Sequence, residues 1–148
     1  MQRLRVLFLL AVVALTAGWS VSAVAAEKGS YHFLTAEALK ARIEGKEALT
    51  LLDIQVEQAF GEHHIPGAVP TYAYPVKSDE ERGRLDSLLP QLQANSDPVV
   101  IVCPRGEGGA KRTYDHLLEK GIAPERLLIL EKGQEGWPYP ELTAKIGK

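Results

Sequence analysis

The sequence predicts a single α/β domain built around a parallel β-sheet. The segment Val99–Val102 consists of four consecutive β-branched residues, a pattern typical of a central parallel strand that helices cover on both faces. Leu127–Leu130 is a second short apolar run, and Ala110–Lys120, between the two, has the pattern of a helix ended by Gly121. Strands that alternate with helices form right-handed βαβ units, the building blocks of α/β folds.

Local signals define the elements that precede the central strand. Thr35 can cap a helix over Ala36–Ile43, and Leu49–Ile54 is an apolar run that suits a buried strand. We expect a helical turn over Glu57–Phe60 and a tight bend over Ile65–Ala68. The alternation of helix and strand therefore extends into the N-terminal half of the chain.

A longer helical stretch is predicted between this bend and the central strand. Asp79–Gln93 begins with charged residues and continues with leucines at helical spacing, and Pro90 interrupts it. Asn95–Pro98 then separates it from the strand. The charged residues at its start most simply form a helix face exposed to solvent.

The first 26 residues predict a signal peptide, and residues 27–148 the domain. Arg3 and Arg5 precede an uncharged stretch from Val6 to Ala26, which ends in small residues suited to cleavage at Ala23–Ala25 or Val24–Ala26. An uncleaved membrane anchor is the alternative, since about 20 uncharged residues can span a bilayer. We expect export, most simply into a bacterial periplasm, and no membrane association once the leader is removed.

The composition excludes several classes of protein. Without Arg3 and Arg5, 15 of the 17 basic residues remain against 19 acidic residues, a formal charge of −4. Such a domain lacks the basic surface of a nucleic-acid-binding protein. Its apolar share, 48 of 122 residues or about 39%, is too high for a disordered chain. A single cysteine, Cys103, excludes an intramolecular disulfide framework and a multi-cysteine zinc site. We expect neither a metal nor a cofactor.

Cys103 is the candidate nucleophile because it follows the central strand directly, where ligands bind in open parallel sheets. Backbone N–H groups of the glycine-rich loop and the N-terminus of the next helix can stabilise a thiolate there. Arg105, Lys111 and Arg112 can add positive charge. The alternative is an inert cysteine that ends a strand. The predicted site consists of Cys103, Arg105, Gly106, Glu107, Gly108 and Gly109.

Four motifs, in this order along the chain, resemble those of the rhodanese-like domain family. Leu52–Gln55 is similar to the family's strand that ends in Asp-x-Arg, and His64–Ala68 matches its His-Ile-Pro-Gly-Ala element. Cys103–Gly108 has the length of its six-residue cysteine loop. Leu130–Trp137 fits its closing Leu-x-Gly-Gly-x-x-x-Trp signature. The resemblance covers essentially all of the chain after the leader.

The resemblance implies a fold and a reaction. The fold is a five-stranded parallel sheet with helices on both faces. The reaction is the transfer of sulfane sulfur from thiosulfate or a persulfide, through a persulfide on Cys103, to cyanide or a thiol. A protein that carries a persulfide is a further partner that the resemblance allows. The loop amides of residues 105–109 and the Arg105 side chain would bind the donor.

The sequence departs from the family pattern at three positions. Gln55 and Gly108 stand where arginines are common, and Lys132 replaces the first glycine of the closing signature. Glu107 adds a carboxylate that opposes a dianionic donor beside the one loop cation, Arg105. We therefore expect weak activity on thiosulfate, and the donor could be a persulfide instead.

Two other functions are weighed from the sequence. A rhodanese-like binding or redox-accessory domain with little turnover would also fit the missing arginines. A cysteine phosphatase or arsenate reductase uses a similar loop, but it needs an arginine at the seventh loop position, where Gly109 stands. Outside the loop, we expect Asp53 to bond loop backbone and His64 to stabilise a bend. Tyr72 and Tyr74 either flank the site or cover the sheet.

Overall fold

The computed structural model describes residues 30–147 and has the predicted α/β architecture. The five strands are β1 (Phe33–Leu34), β2 (Thr50–Asp53), β3 (Val69–Pro70), β4 (Val99–Val102) and β5 (Leu127–Leu130). The five helices are α1 (Ala36–Glu44), α2 (Glu57–Glu62), α3 (Asp79–Asp86), α4 (Leu89–Gln93) and α5 (Gly108–Glu119). Short 3-10 helices cover Pro124–Arg126, Gln134–Gly136 and Pro140–Leu142. The predicted signal peptide at 1–26 lies outside the described residues.

All the strand pairings are parallel, and the strand order is β1-β5-β4-β2-β3. The central strand β4 is therefore bordered by β5 and β2, and its last residue, Val102, is in register with Asp53. The carboxyl ends of these strands lie at one edge of the sheet. Cys103 directly follows β4, so it lies at the middle of this edge.

Two apolar clusters lie on the two faces of the sheet. Because successive side chains of a strand point to opposite faces, Val99 and Ile101 belong to the cluster packed against α5, whereas Val100 and Val102 belong to the one packed against α1. All four are fully buried. The uniformly apolar sequence of β4 follows from this two-sided coverage.

The predicted caps and breaks are largely present in the structure. The Thr35 side chain accepts a hydrogen bond from the backbone N–H of Ala38 at the start of α1. The helical stretch predicted over Asp79–Gln93 forms as two helices, and Pro90 lies in the first turn of the second, where its missing N–H costs nothing. Across residues 30–147, no helix combines the length and apolar character that a bilayer crossing requires.

Candidate active site

Cys103 lies at the centre of the sheet edge and is buried, with 2% of its surface exposed. Its Sγ accepts a hydrogen bond from the backbone N–H of Gly106 at 2.9 Å. A thiolate gains more from such a bond than a thiol does, because the acceptor then carries a full charge. The loop thus provides one direct amide contact to the sulfur, as the sequence predicted for this glycine-rich segment.

Gly106 can make this contact because it adopts a left-handed backbone conformation with φ of +72°. A Cβ atom at this position would lie 2.6 Å from the carbonyl oxygen of Leu130 and 2.8 Å from the backbone nitrogen of Lys132. Only glycine fits such a close approach of two backbones. The cysteine loop is therefore packed directly against the segment that follows β5.

The segment after β5 also holds the cysteine loop by hydrogen bonds. The backbone N–H of Gln134 donates to the carbonyl of Cys103 at 2.8 Å, and that of Glu135 donates to the carbonyl of Pro104 at 2.9 Å. Gly133 makes this possible, since its φ is +57° and a Cβ there would lie 2.0 Å from the Cys103 carbonyl oxygen. The contact fixes the backbone on both sides of the sulfur.

Lys132, which replaces a glycine of the family signature, also has a positive φ, of 59°. A left-handed conformation costs a residue with a Cβ about 1 kcal/mol relative to glycine. Lys132 therefore adopts a backbone conformation that glycine would adopt at a lower cost in stability.

The helix after the loop begins two residues earlier than the predicted start at Ala110. α5 runs from Gly108, with Glu107 at its N-cap, so Gly108 and Gly109 form its first turn rather than the end of the loop. Glycine is a poor helix former, which is why the sequence assigned them to the loop. A Cβ at Gly109 would approach the Tyr74 ring to 3.0 Å, so this glycine lets the ring lie over the helix start.

The three cations predicted near the sulfur each have another partner. Lys111 lies over the ring of Tyr31, 5.5 Å from its centroid. Arg112 donates from Nε and Nη2 to the carbonyl of Pro75, at 2.9 and 2.7 Å. Arg105 is 70% exposed, and its Nε lies 3.4 Å from the Glu135 carboxylate. Glu135 therefore offsets the Arg105 guanidinium.

Asp53 is fully buried and holds the loop between β2 and α2. Its carboxylate accepts hydrogen bonds from the backbone N–H of Gln55 at 2.8 Å and from the Gln55 side-chain amide at 3.0 Å, and that amide also donates to the carbonyl of His63. Burial raises the pKa of Asp53 to about 6, although these hydrogen bonds act to lower it. Asp53 thus bonds loop backbone, as predicted.

His64 stabilises the bend that follows α2. Its Nδ1 lies 2.8 Å from the carbonyl oxygen of Phe60, and its ring stacks on the Phe60 ring with 4.1 Å between centroids. Its backbone forms an isolated antiparallel bridge with Ala144. Within the described part of the chain, no group of three or more His, Cys, Asp or Glu side chains could hold a metal ion.

A cleft of about 520 Å³ opens beside the cysteine loop. Pro104 and Arg105 line it from the loop, and Tyr74 lines it from the segment predicted to flank the site or cover the sheet. Among the other polar lining residues, the sequence singled out only Gln55, as a departure from the family pattern. These are Gln55, Glu62, His63, Gln134, Glu135 and Thr143. Gln134 and Glu135 occupy variable positions of the closing signature, and only their place beside its glycine could have indicated them.

A sequence model of one family, described as Rhodanese-like domain, matches residues 35–138. This range includes all four motifs, from the strand that ends in Asp53 to Trp137. Among curated proteins, none matches the chain at a significant level.

Solved structures with the same fold include proteins described by different activities. A rhodanese-like domain from Anabaena sp. is 19% identical, with a TM-score of 0.56 over 79% of this chain and 81% of that chain. Yeast Ygr203w, described as a protein tyrosine phosphatase of the rhodanese family, is 16% identical, with a TM-score of 0.62 over 77% and 92%. A thiosulfate sulfurtransferase from Pseudomonas aeruginosa is 18% identical, with a TM-score of 0.60 over 80% and 20%. At these identities the likeness shows the fold.

Proposed function

Since the chain belongs to the rhodanese-like domain family, we propose that it is a sulfurtransferase in which Cys103 carries sulfane sulfur as a persulfide. The observation that supports this most is the placement of the Cys103 sulfur. It lies at the carboxyl end of the central strand and accepts the Gly106 N–H at 2.9 Å, and the next two residues of the loop, Pro104 and Arg105, line an open cleft. A cysteine at the end of the central strand, with an amide N–H directed at its sulfur, suits nucleophilic chemistry.

In the first half of the reaction, the Cys103 thiolate attacks the sulfane sulfur of the donor. A new S–S bond forms, the donor's S–S bond breaks, and the donor leaves with that electron pair as sulfite or a thiolate. In the second half, an acceptor thiolate attacks the outer sulfur and releases Cys103 as a thiolate. The Gly106 N–H and the N-terminal end of α5 stabilise the anionic sulfur in both halves.

The charges at the cleft favour a persulfide over thiosulfate as the donor. Arg105 is the guanidinium closest along the chain to the sulfur, and the Glu135 carboxylate lies 3.4 Å from its Nε. Glu107, exposed at the N-cap of α5, adds a second carboxylate to the loop. A dianion such as thiosulfate interacts less favourably with this arrangement than a singly charged persulfide does.

Intact-mass measurement tests the proposed reaction. Treatment of the folded protein with an organic persulfide should add one sulfur atom, and a thiol should remove it. Cys103→Ala should take up none, because it lacks the nucleophile. Thiosulfate should give the same adduct more slowly. A folded wild-type protein that gains no sulfur from either donor would refute the proposal.

A binding or redox-accessory role is the second candidate, favoured by the low exposure of Cys103 and by the Arg105–Glu135 pair. Alkylation with iodoacetamide distinguishes the two. A sulfurtransferase should be modified at Cys103 in the folded state. A protein that resists modification until it is unfolded would support the accessory role.

We also propose that residues 1–26 direct export and that the protein acts in a bacterial periplasm. The support is the sequence pattern of two arginines, an uncharged stretch and small residues before Glu27. The mass of the protein isolated from its native compartment tests this. Loss of about the first 26 residues is expected, and a full-length mass would indicate an anchor.

A further inference from the structure

The cleft beside the cysteine loop is lined by two carboxylates, one guanidinium and the imidazole of His63. The carboxylates are those of Glu62 and Glu135, and the guanidinium is that of Arg105, whose Nε lies 3.4 Å from Glu135, so one carboxylate is in excess. The Glu62 carboxylate accepts a hydrogen bond from the Gln58 amide at 3.1 Å. Glu62 also lines a neighbouring groove, together with Lys145. The lining charges therefore favour a ligand with a positive group.

Gln134 supplies an independent observation that points to a ligand. Gln134 lines the cleft, and 8% of its surface is exposed. The Oε1 atom is buried and accepts no hydrogen bond within the described part of the chain. An unpaired buried acceptor costs about 1–3 kcal/mol, so a ligand N–H that reached it would recover that free energy. Like the carboxylates, the Gln134 Oε1 atom would be satisfied by a hydrogen-bond donor on the ligand.

The size of the cleft supports the same conclusion. Its volume of about 520 Å³ falls within the range of small-molecule sites, roughly 300–1,000 Å³. A small oxyanion such as thiosulfate would fill only part of this volume. The cleft has room for an organic thiol with a polar group at its far end.

We propose that this cleft binds amine-bearing thiols, with the ligand ammonium against the carboxylates of Glu62 and Glu135 and a ligand N–H donated to Gln134 Oε1. The proposal rests on the proposed function in one respect, namely that such a thiol is the sulfur acceptor. Its thiolate attacks the outer sulfur of the Cys103 persulfide, and the S–S bond to Cys103 breaks. Cys103 leaves as a thiolate, the acceptor becomes a persulfide, and no external oxidant or reductant is needed.

Three acceptors of similar size test the charge preference. Cysteamine carries an ammonium, 2-mercaptoethanol is neutral at its far end, and 3-mercaptopropionate carries a carboxylate. The measured quantity is the ratio of the cysteamine and mercaptopropionate rates of sulfur removal from persulfidated Cys103. Glu135→Gln should lower this ratio about two- to fivefold, as expected for one solvent-accessible charge interaction. Comparing the ratio between variants cancels the different intrinsic reactivities of the thiols.

The matched control is Glu131→Gln. Glu131 is exposed on the segment after β5, four residues before Glu135, and does not line the cleft. Its variant should leave the ratio nearly unchanged. Glu62→Gln should lower the ratio as Glu135→Gln does, and Gln134→Leu should slow cysteamine more than 2-mercaptoethanol.

A second measurement is independent of sulfur transfer. Methanethiosulfonate reagents with an aminoethyl or a sulfonatoethyl group form a mixed disulfide with Cys103 and release methanesulfinate. The aminoethyl reagent should react faster relative to the sulfonatoethyl reagent in wild type than in Glu135→Gln. If this preference appears but no persulfide ever forms, the cleft specificity stands and sulfur transfer is refuted. If persulfide forms but neither assay shows a charge preference, or neither reagent reaches Cys103, the inference is overturned.

Discussion

Asp53 shows how a single substitution changes the electrostatics of a residue. The carboxyl group is buried beside Gln55, at the position where the family commonly has arginine. Glutamine supplies hydrogen bonds but no charge, so burial dominates and raises the pKa of Asp53 to about 6. The sequence predicted the backbone contact of Asp53 but not this pKa, which depends on burial by segments distant in the chain.

The raised pKa of Asp53 predicts a pH-dependent stability. An acid whose pKa rises from 3.8 to about 6 on folding binds its proton more tightly in the folded state, so its contribution to stability falls as pH rises through this interval. Asp53→Asn cannot lose a proton. Relative to wild type, its free energy of unfolding should therefore rise by up to about 3 kcal/mol between pH 4 and pH 7. Urea unfolding across this range measures it, and a constant difference would contradict the prediction.

The glycine that contacts the sulfur predicts a second residue-scale effect. Gly106→Ala places a Cβ 2.6 Å from the Leu130 carbonyl oxygen and should destabilise the protein by about 3 kcal/mol or more. Gly67→Ala is the control, since Gly67 also has a positive φ, of +85°, but has no atom within 4 Å of the added Cβ. It should cost only about 1 kcal/mol. Equal thermal unfolding of the two variants would show that the loop yields to the added atom.

The elements divide into those that the sequence predicted to the residue and those that it did not. Val99–Val102 and Leu127–Leu130 form the predicted strands. A short uninterrupted run of β-branched or apolar residues suits a strand that is covered on both faces of the sheet. The start of α5 was misplaced because glycine has a low helix propensity, whereas here Gly109 is needed for the approach of the Tyr74 ring. Tertiary packing outweighs local preference at that position.

Helices α3 and α5 are joined by a polar contact that predicts an element-scale effect. His116 Nε2 and Lys120 Nζ lie 2.6 and 3.0 Å from the Asp86 carboxylate oxygens. Although burial acts to raise it, the hydrogen bonds from these side chains hold the pKa of Asp86 below its usual range. Asp86→Asn should therefore destabilise the fold by roughly 0.5–1 kcal/mol at pH 7.

The effect of Asp86→Asn should also depend on pH. A carboxyl group with a lowered pKa stabilises the fold above its ordinary pKa, and the contribution is lost as pH falls below it. The variant and wild type should therefore converge near pH 3 in urea unfolding. Glu80→Gln, which breaks the exposed pair with Arg84, is the control and should change stability by only a few tenths of a kcal/mol. A loss that persists undiminished at low pH would show that the contact is not ionic.

At the scale of the whole molecule, the candidate site depends on segments far apart in sequence. The sequence located the cysteine loop from the residues around Cys103. It did not locate Gln134 or Glu135, because their place at the cleft follows from the pairing of β4 with β5 and from hydrogen bonds to the loop. A motif identifies a nucleophile, whereas the surface that selects a ligand requires the tertiary structure.

The C-terminal tail, beyond the residues matched by the family model, predicts a molecule-scale effect. His64 and Ala144 exchange two backbone hydrogen bonds, Ile146 donates to Gly61, and the Trp137 indole donates to Leu142. Deletion of residues 140–148 removes these four bonds and should lower the free energy of unfolding by roughly 2–4 kcal/mol. Tryptophan fluorescence should shift to the red as the buried Trp137 ring is exposed. Deletion of 147–148 is the control, and equal stability of both truncations would contradict the prediction.

The pairing of β1 with β5 has a consequence for the order of folding. Phe33 finds its partner at Ile129, so the first strand of the sheet cannot dock until the last one has been synthesised. Contacts at such sequence separation slow folding, because a long loop must close before they form. A chain emerging from the ribosome therefore stays incompletely folded until almost all of it is available. Until then β1 lacks its partner strand, and any machinery that handles the chain meets a sheet whose pairing is incomplete.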